Sequence, residues 1–259
     1  MKRAFPILVI LTGILLIYAM SVALNPVIHI GGLTLNGAPT EQTMGNVQRI
    51  FYYHVPSAWT AFLLFFINFG ASIYYLIKRT PAADIVALVS AEVGVVFCTI
   101  VLVTGPIWAR PVWGIWWTWD MRLTSTLVLW LIYVSYLFLR RFSASGQTPL
   151  LAAALAVFGA LCVPFVYFSI WFFRTQHPQP VMGGGGSIDP RMLHVLLLNW
   201  LAFSCFAFLV CWSRYRLEKL QREVDEAHAL RSLMGEPKAG EPNQQSANQP
   251  RMNPPGSAR

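Results

Sequence analysis

Six stretches, near residues 5–24, 58–77, 84–104, 123–139, 150–171 and 193–212, are apolar over about 17 to 22 residues each. About 20 helical residues cross the roughly 30 Å hydrocarbon layer of a bilayer. Lipid offers no partner to backbone N–H and C=O groups, so a span of this kind satisfies its own as a helix. The sequence therefore predicts an all-α polytopic membrane protein, a bundle of six transmembrane helices. Only 12% of the residues are charged, about half the share of a soluble domain. The net charge of +8 is not read as a nucleic-acid surface, because the basic residues flank the apolar stretches.

Those flanks set the expected orientation. With the N-terminus inside, the inner segments hold Lys2, Arg3, Lys78, Arg79, Arg140, Arg141 and eight more after position 213, fourteen in all. The outer loops hold five: Arg49, Arg110, Arg122, Arg174 and Arg191. Positive charge collects on the cytoplasmic side, so both termini are expected there. The first stretch is longer than the 7–15-residue core of a signal peptide and is read as a retained helix. Three outer loops follow, at about 25–57, 105–122 and 172–192.

The central outer loop holds an unusual composition. Trp108, Trp113, Trp116, Trp117 and Trp119 are half of the chain's ten tryptophans, and Asp120 follows them. Anchoring at a lipid–water boundary takes fewer. A dense aromatic group suggests that something broad, flat and partly apolar lies against it. A helix here would put Trp113, Trp116, Trp117 and Asp120 on one face, though Pro106, Pro111 and Gly114 keep such a helix short. Asp120 also suits the N-cap of the fourth transmembrane helix.

Two histidines flank this loop in the other outer segments. His54 precedes Val55-Pro56, where Pro56 is expected to open the second helix, leaving His54 just above the boundary. His177 lies in Arg174-Thr175-Gln176-His177-Pro178. A glycine linker, Gly183 to Gly186, leads to Asp189 as N-cap and Pro190 as first residue of the last helix. His194 sits a turn inside that helix and is the alternative to His177. His29 and His228 are read as exposed.

Two imidazoles over an aromatic platform suit haem, which needs one or two axial ligands and a broad apolar contact. Zinc would want more ligands, and no cysteine lies on the outer face. Cys98, Cys162, Cys205 and Cys211 fall in apolar runs without Cys-x-x-Cys spacing, so covalent haem attachment is excluded. Haem propionates favour arginine, and five arginines lie on this side, where phospholipid headgroups compete for them. Glu92 is the one ionisable residue read as deep in an apolar stretch, either functional or a protonated helix contact.

After position 213, Leu217, Leu220, Val224 and Ala227 recur at helical spacing among charges. The expected organisation is a membrane domain over 1–212, a cytoplasmic amphipathic helix over 213–234 and a disordered tail over 235–259.

Trp-Gly-x-Trp-Trp-x-Trp-Asp between two membrane helices resembles the signature of the tryptophan-rich haem-handling (WWD) family of cytochrome c maturation, in its haem exporter protein C branch. The resemblance covers about 45–212. It implies an outer-face haem platform at Trp108, Trp113, Trp116, Trp117, Trp119 and Asp120, and iron ligation by His54 and His177; of the outer-face arginines, Arg122 is the one read as cofactor-binding. Phe172-Phe173 stands where the family often has Trp-Trp. The resemblance also implies non-covalent haem b and a binding and transfer role rather than an enzyme. The implied partners are a periplasmic haem chaperone, the permease and ATPase subunits of an ATP-binding-cassette (ABC) exporter, and a small one-helix subunit. This chain has no nucleotide-binding Gly-x-x-x-x-Gly-Lys-Ser/Thr motif. Two other readings compete. A b-type cytochrome or quinol oxidoreductase subunit would need histidines at mid-membrane. A permease for another small molecule would leave the aromatic–histidine group without use.

Overall fold

The computed structural model describes residues 4–30, 32–143, 145–178 and 188–234. In chain order its elements are α1 (Ala4–Leu24), the strands β1 (Val27–Ile30) and β2 (Leu33–Asn36), α2 (Phe51–Lys78), α3 (Pro81–Trp113), α4 (Met121–Phe142), α5 (Thr148–Ala160), α6 (Cys162–Phe172) and α7 (Pro190–Leu233). Six spans are long and apolar enough to cross a membrane, with α5 and α6 together making one of them. The fold is all-α and polytopic, as expected. Pro164 explains the break between α5 and α6. It lacks the N–H that would bond the Ala160 carbonyl, and its ring crowds that carbonyl.

The chain divides into two units, Met1–Tyr215 and Arg216–Arg259. In the first, α2 to α6 share a core. Phe65 stacks on Tyr133 with ring centres 3.9 Å apart, and Leu129, Tyr136, Ala152 and Ala156 are fully buried beside them. Lipid is as apolar as leucine, so this association depends on close packing rather than on expelling water. Gly94 permits it, since a Cβ there would lie 2.7 Å from Cε1 of Phe65. A second cluster gathers Val22, Phe51, Tyr52, Val195 and Leu196 from α1, α2 and α7. Arg49 fastens it, donating to the Ala23 carbonyl at 2.7 Å and the Thr40 hydroxyl at 2.9 Å. Arg49 is thus a buried structural residue rather than a headgroup contact.

Several sequence expectations shift. The hairpin was not foreseen. Its register pairs Ile30 with Leu33, and a Gly-Gly sequence between apolar runs is a recognised hairpin signal. Helix α2 begins at Phe51 rather than Pro56, after a 3-10 turn over Asn46–Ile50. Pro56 lies within its second turn, where it removes a single donor, and His54 is therefore helical. Helix α3 runs through Pro106 and Pro111 to Trp113, beyond the expected end near 104. Gly114, at φ 78°, then closes it in the left-handed region, and its N–H donates to the Arg110 carbonyl at 3.0 Å. Residues 115–120 are not helical, so the tryptophans do not form the expected helical face.

Among the described residues of this unit, ion pairs join Arg140 to Asp84, Arg191 to Asp189 and Arg214 to Glu92. Arg140 holds Asp84 with both arms, at 2.5 and 2.8 Å, and the two side chains are 9% and 4% exposed. Asp84 is thus a buried charge that its place near a helix start did not reveal, and Glu92 is not alone. Glu92 is itself paired, with both carboxylate oxygens 2.9 Å from Arg214. In the second unit, Arg222–Glu218 and Lys219–Glu223 pairs support the helix one turn apart, and Leu217, Leu220 and Val224 are exposed. The expected glycine linker at Gly183 to Gly186 and the tail over 235–259 lie outside the described residues.

Candidate functional site

The first turn of α2, the last turns of α3, the start of α4 and the loop after α6 meet around a cleft that is open at its mouth. His54 comes from α2, Trp108 and Trp113 from α3, Trp117 from the loop after α3, Arg122 from α4 and His177 from the loop after α6. The deeper lining is apolar and includes Phe62, Leu102 and Val166. The rings of His54 and His177 lie 6.4 Å apart, centre to centre. Trp108 meets His54 edge-on at 6.0 Å.

The hydrogen bonds fix how each imidazole is held. Nδ1 of His54 is 2.9 Å from the Thr104 hydroxyl. That hydroxyl gives its own proton to the Ile100 carbonyl at 2.7 Å, so it accepts from His54. Nδ1 of His177 is 2.9 Å from the Pro178 carbonyl, which only accepts. Both rings thus carry the proton on Nδ1, and in a neutral imidazole Nε2 then keeps its lone pair. His177 is neutral at pH 7. Burial pulls its pKa down to about 4, with the Arg122 guanidinium acting the same way, against the Pro178 carbonyl and the Asp120 carboxylate.

Asp120 sits beside the cleft and ties its parts together. One carboxylate oxygen caps α4 by accepting from the Leu123 N–H at 2.9 Å. The other accepts from the Thr118 hydroxyl at 3.2 Å and the Thr175 hydroxyl at 2.7 Å. Thr175 in turn accepts from the His177 N–H at 3.1 Å. The cleft also leaves donors unused. Among the described residues, Nε1 of Trp108, Nε1 of Trp117 and one terminal guanidinium nitrogen of Arg122 are buried without a partner. Buried donors of this kind cost about 1–3 kcal/mol each when unsatisfied, and they provide hydrogen bonds to an anionic or carbonyl ligand group.

Of the residues the sequence suggested, Trp116 and Trp119 are 58% and 75% exposed and do not line the cleft. His194, His29 and His228 are exposed. Thr104 and Met44 line or support the site without having been foreseen. Nothing local marks Thr104, which meets His54 only through tertiary packing. Thr175 had a local signal, because a threonine hydroxyl often accepts from the N–H two residues on.

Fold and cleft together define a multi-pass membrane protein with an aromatic cleft, lined by two histidines, at one end of its bundle. The family model described as Heme exporter protein C matches residues 3–230. The Heme exporter protein C of Bradyrhizobium diazoefficiens is 36% identical over 190 residues, 72% of each chain. That of Escherichia coli K12 is 33% identical over 188 residues, 72% of this chain and 74% of its own. A ccmC-like mitochondrial protein of cytochrome c biosynthesis from Marchantia polymorpha is 34% identical over 173 residues, 66% of this chain and 72% of its own. The chain belongs to the haem exporter protein C family.

Proposed function

We propose that this protein binds haem b non-covalently in the cleft, at the periplasmic face of the inner membrane, and passes it to a periplasmic haem chaperone. Family membership supports a role in haem handling for cytochrome c maturation. The observation that carries the reading is the imidazole pair. The two rings stand 6.4 Å apart, centre to centre, with Nδ1 engaged in each, so His54 and His177 would hold the haem iron through their free Nε2 atoms.

The other residues fit the same cargo. Trp108, Trp113 and Trp117 offer flat apolar walls. Arg122, with its unpartnered nitrogen, is matched to a propionate. Trp116 and Trp119 form an exposed rim, and Asp120 holds the His177 loop. Among the described residues, no group of three or more His, Cys, Asp or Glu is arranged for a metal ion alone. The function is binding and transfer rather than catalysis. Energy would come from ABC permease and ATPase subunits, with a small one-helix subunit as a further partner. The positive-inside count supports this orientation, with both termini in the cytoplasm.

The test is an absorption spectrum of the purified protein, with and without reductant. Haem is expected to co-purify, and His54→Ala and His177→Ala should each abolish or alter the bands. Spectra indifferent to both substitutions would sink the ligand assignment. Loss of haem on His194→Ala alone would move the second ligand there.

A further inference from the structure

Every candidate ligand in the cleft needs something to stop its ring from turning. For His177 this is the backbone carbonyl of Pro178, which no side-chain substitution removes. For His54 it is the side chain of Thr104. We infer that Thr104 is a positioning residue for haem binding, its hydroxyl holding His54 in the Nδ1–H tautomer and turning Nε2 to the cleft. The inference rests on the reading of His54 as an iron ligand.

Three observations converge. The Thr104 hydroxyl lies 2.9 Å from Nδ1 of His54 and donates to the Ile100 carbonyl at 2.7 Å, so its lone pair is the part that faces the ring. A threonine in a helix has few χ1 rotamers, and this back-bond selects one of them. The next residue, Gly105, stands against the ring, since a Cβ there would lie in ordinary contact, 3.4 Å from Cε1 of His54. Thr104 thus holds one edge of the imidazole by a bond, and Gly105 lies beside another. Partners of ligating histidines fix ring orientation and raise ligand basicity, and their loss costs about 10- to 100-fold in metal affinity.

The experiment uses the full chain purified in detergent and compares wild type, Thr104→Val, Thr104→Ser and His54→Ala. It measures haem retained per protein, the Soret and α bands, and the midpoint potential. Valine keeps the shape of threonine and removes the acceptor. Thr104→Val should retain about 10- to 100-fold less haem on titration, with shifted bands and a shifted midpoint potential in what remains. Thr104→Ser should restore all three. Wild-type retention, bands and potential in Thr104→Val, with His54→Ala altered, would overturn the role of Thr104 and leave the ligand reading intact. An unaltered His54→Ala would overturn both. Should Thr104→Val fail to fold, Thr104→Ala decides, since it too removes the acceptor. A folded Thr104→Ala with less haem and shifted bands and potential supports the role, and wild-type values overturn it.

Discussion

The Asp120 carboxylate accepts a hydrogen bond of 2.7 Å from the Thr175 hydroxyl, joining the start of α4 to the loop that carries His177. The same carboxylate caps α4 through the Leu123 N–H. Capping and site support are therefore one arrangement, in which a rigid helix end fixes a loop histidine.

Asparagine separates the two roles. Its single carbonyl oxygen can still cap Leu123, while its amide nitrogen cannot accept from Thr175 or Thr118. Asp120→Asn should melt close to wild type yet retain less haem. Asp120→Ala should lose the cap as well, costing about 1 kcal/mol. Thermal melting in detergent, read beside the haem spectrum, checks both. An Asp120→Asn protein with full haem would mean that the His177 loop does not need this tether.

Arg122 pits stability against binding. One of its guanidinium nitrogens is buried without a partner among the described residues, an arrangement that costs stability unless a ligand supplies the acceptor. Arg122→Gln removes the charge and keeps much of the side-chain length. The apo variant should therefore melt at or above the wild-type temperature, while haem retention falls about tenfold or more as a charge-assisted bond is lost. Melting and haem titration moving in the same direction would contradict this.

The spans, the tryptophan group and its two flanking histidines were legible because each rests on a local property: apolar length, composition, and position relative to a boundary. Helix ends were less legible. Pro56 read as the start of the second helix, and Pro106 and Pro111 as keeping any helix around them short, yet all three lie within α2 and α3, where tertiary packing outweighs a missing donor. Partnerships across the fold were not legible at all. Thr104 with His54 is 50 residues apart in sequence and Asp84 with Arg140 is 56, and neither pair leaves a periodic or spacing signal. The hairpin is a different case, since Gly31-Gly32 was available as a turn signal and went unused.

Gly94 marks where the bundle has no slack. A Cβ there would lie 2.7 Å from Cε1 of Phe65. Phe65 cannot retreat, because Tyr133 is stacked 3.9 Å behind it. Gly94→Ala should cost about 1–3 kcal/mol through overpacking. A compensating Phe65→Leu should recover part of that loss, and a double-mutant cycle of melting free energies would register the coupling.

The Asp84–Arg140 pair supplies the last test, because it lies in the bundle rather than in the cleft. Both side chains are under 10% exposed, and Arg140 also lies over the Tyr136 ring, 5.7 Å from its centre. Removing one member leaves the other charged and desolvated, at a cost of about 3–5 kcal/mol. Asp84→Leu alone should therefore unfold at markedly lower temperature. Replacing both, as Asp84→Leu with Arg140→Met, should recover most of the loss, because apolar side chains of similar size are often neutral in such positions. The haem spectrum of the double variant should match wild type. A double variant as unstable as the single one would mean that the pair is a net source of stability rather than two charges that must be kept together.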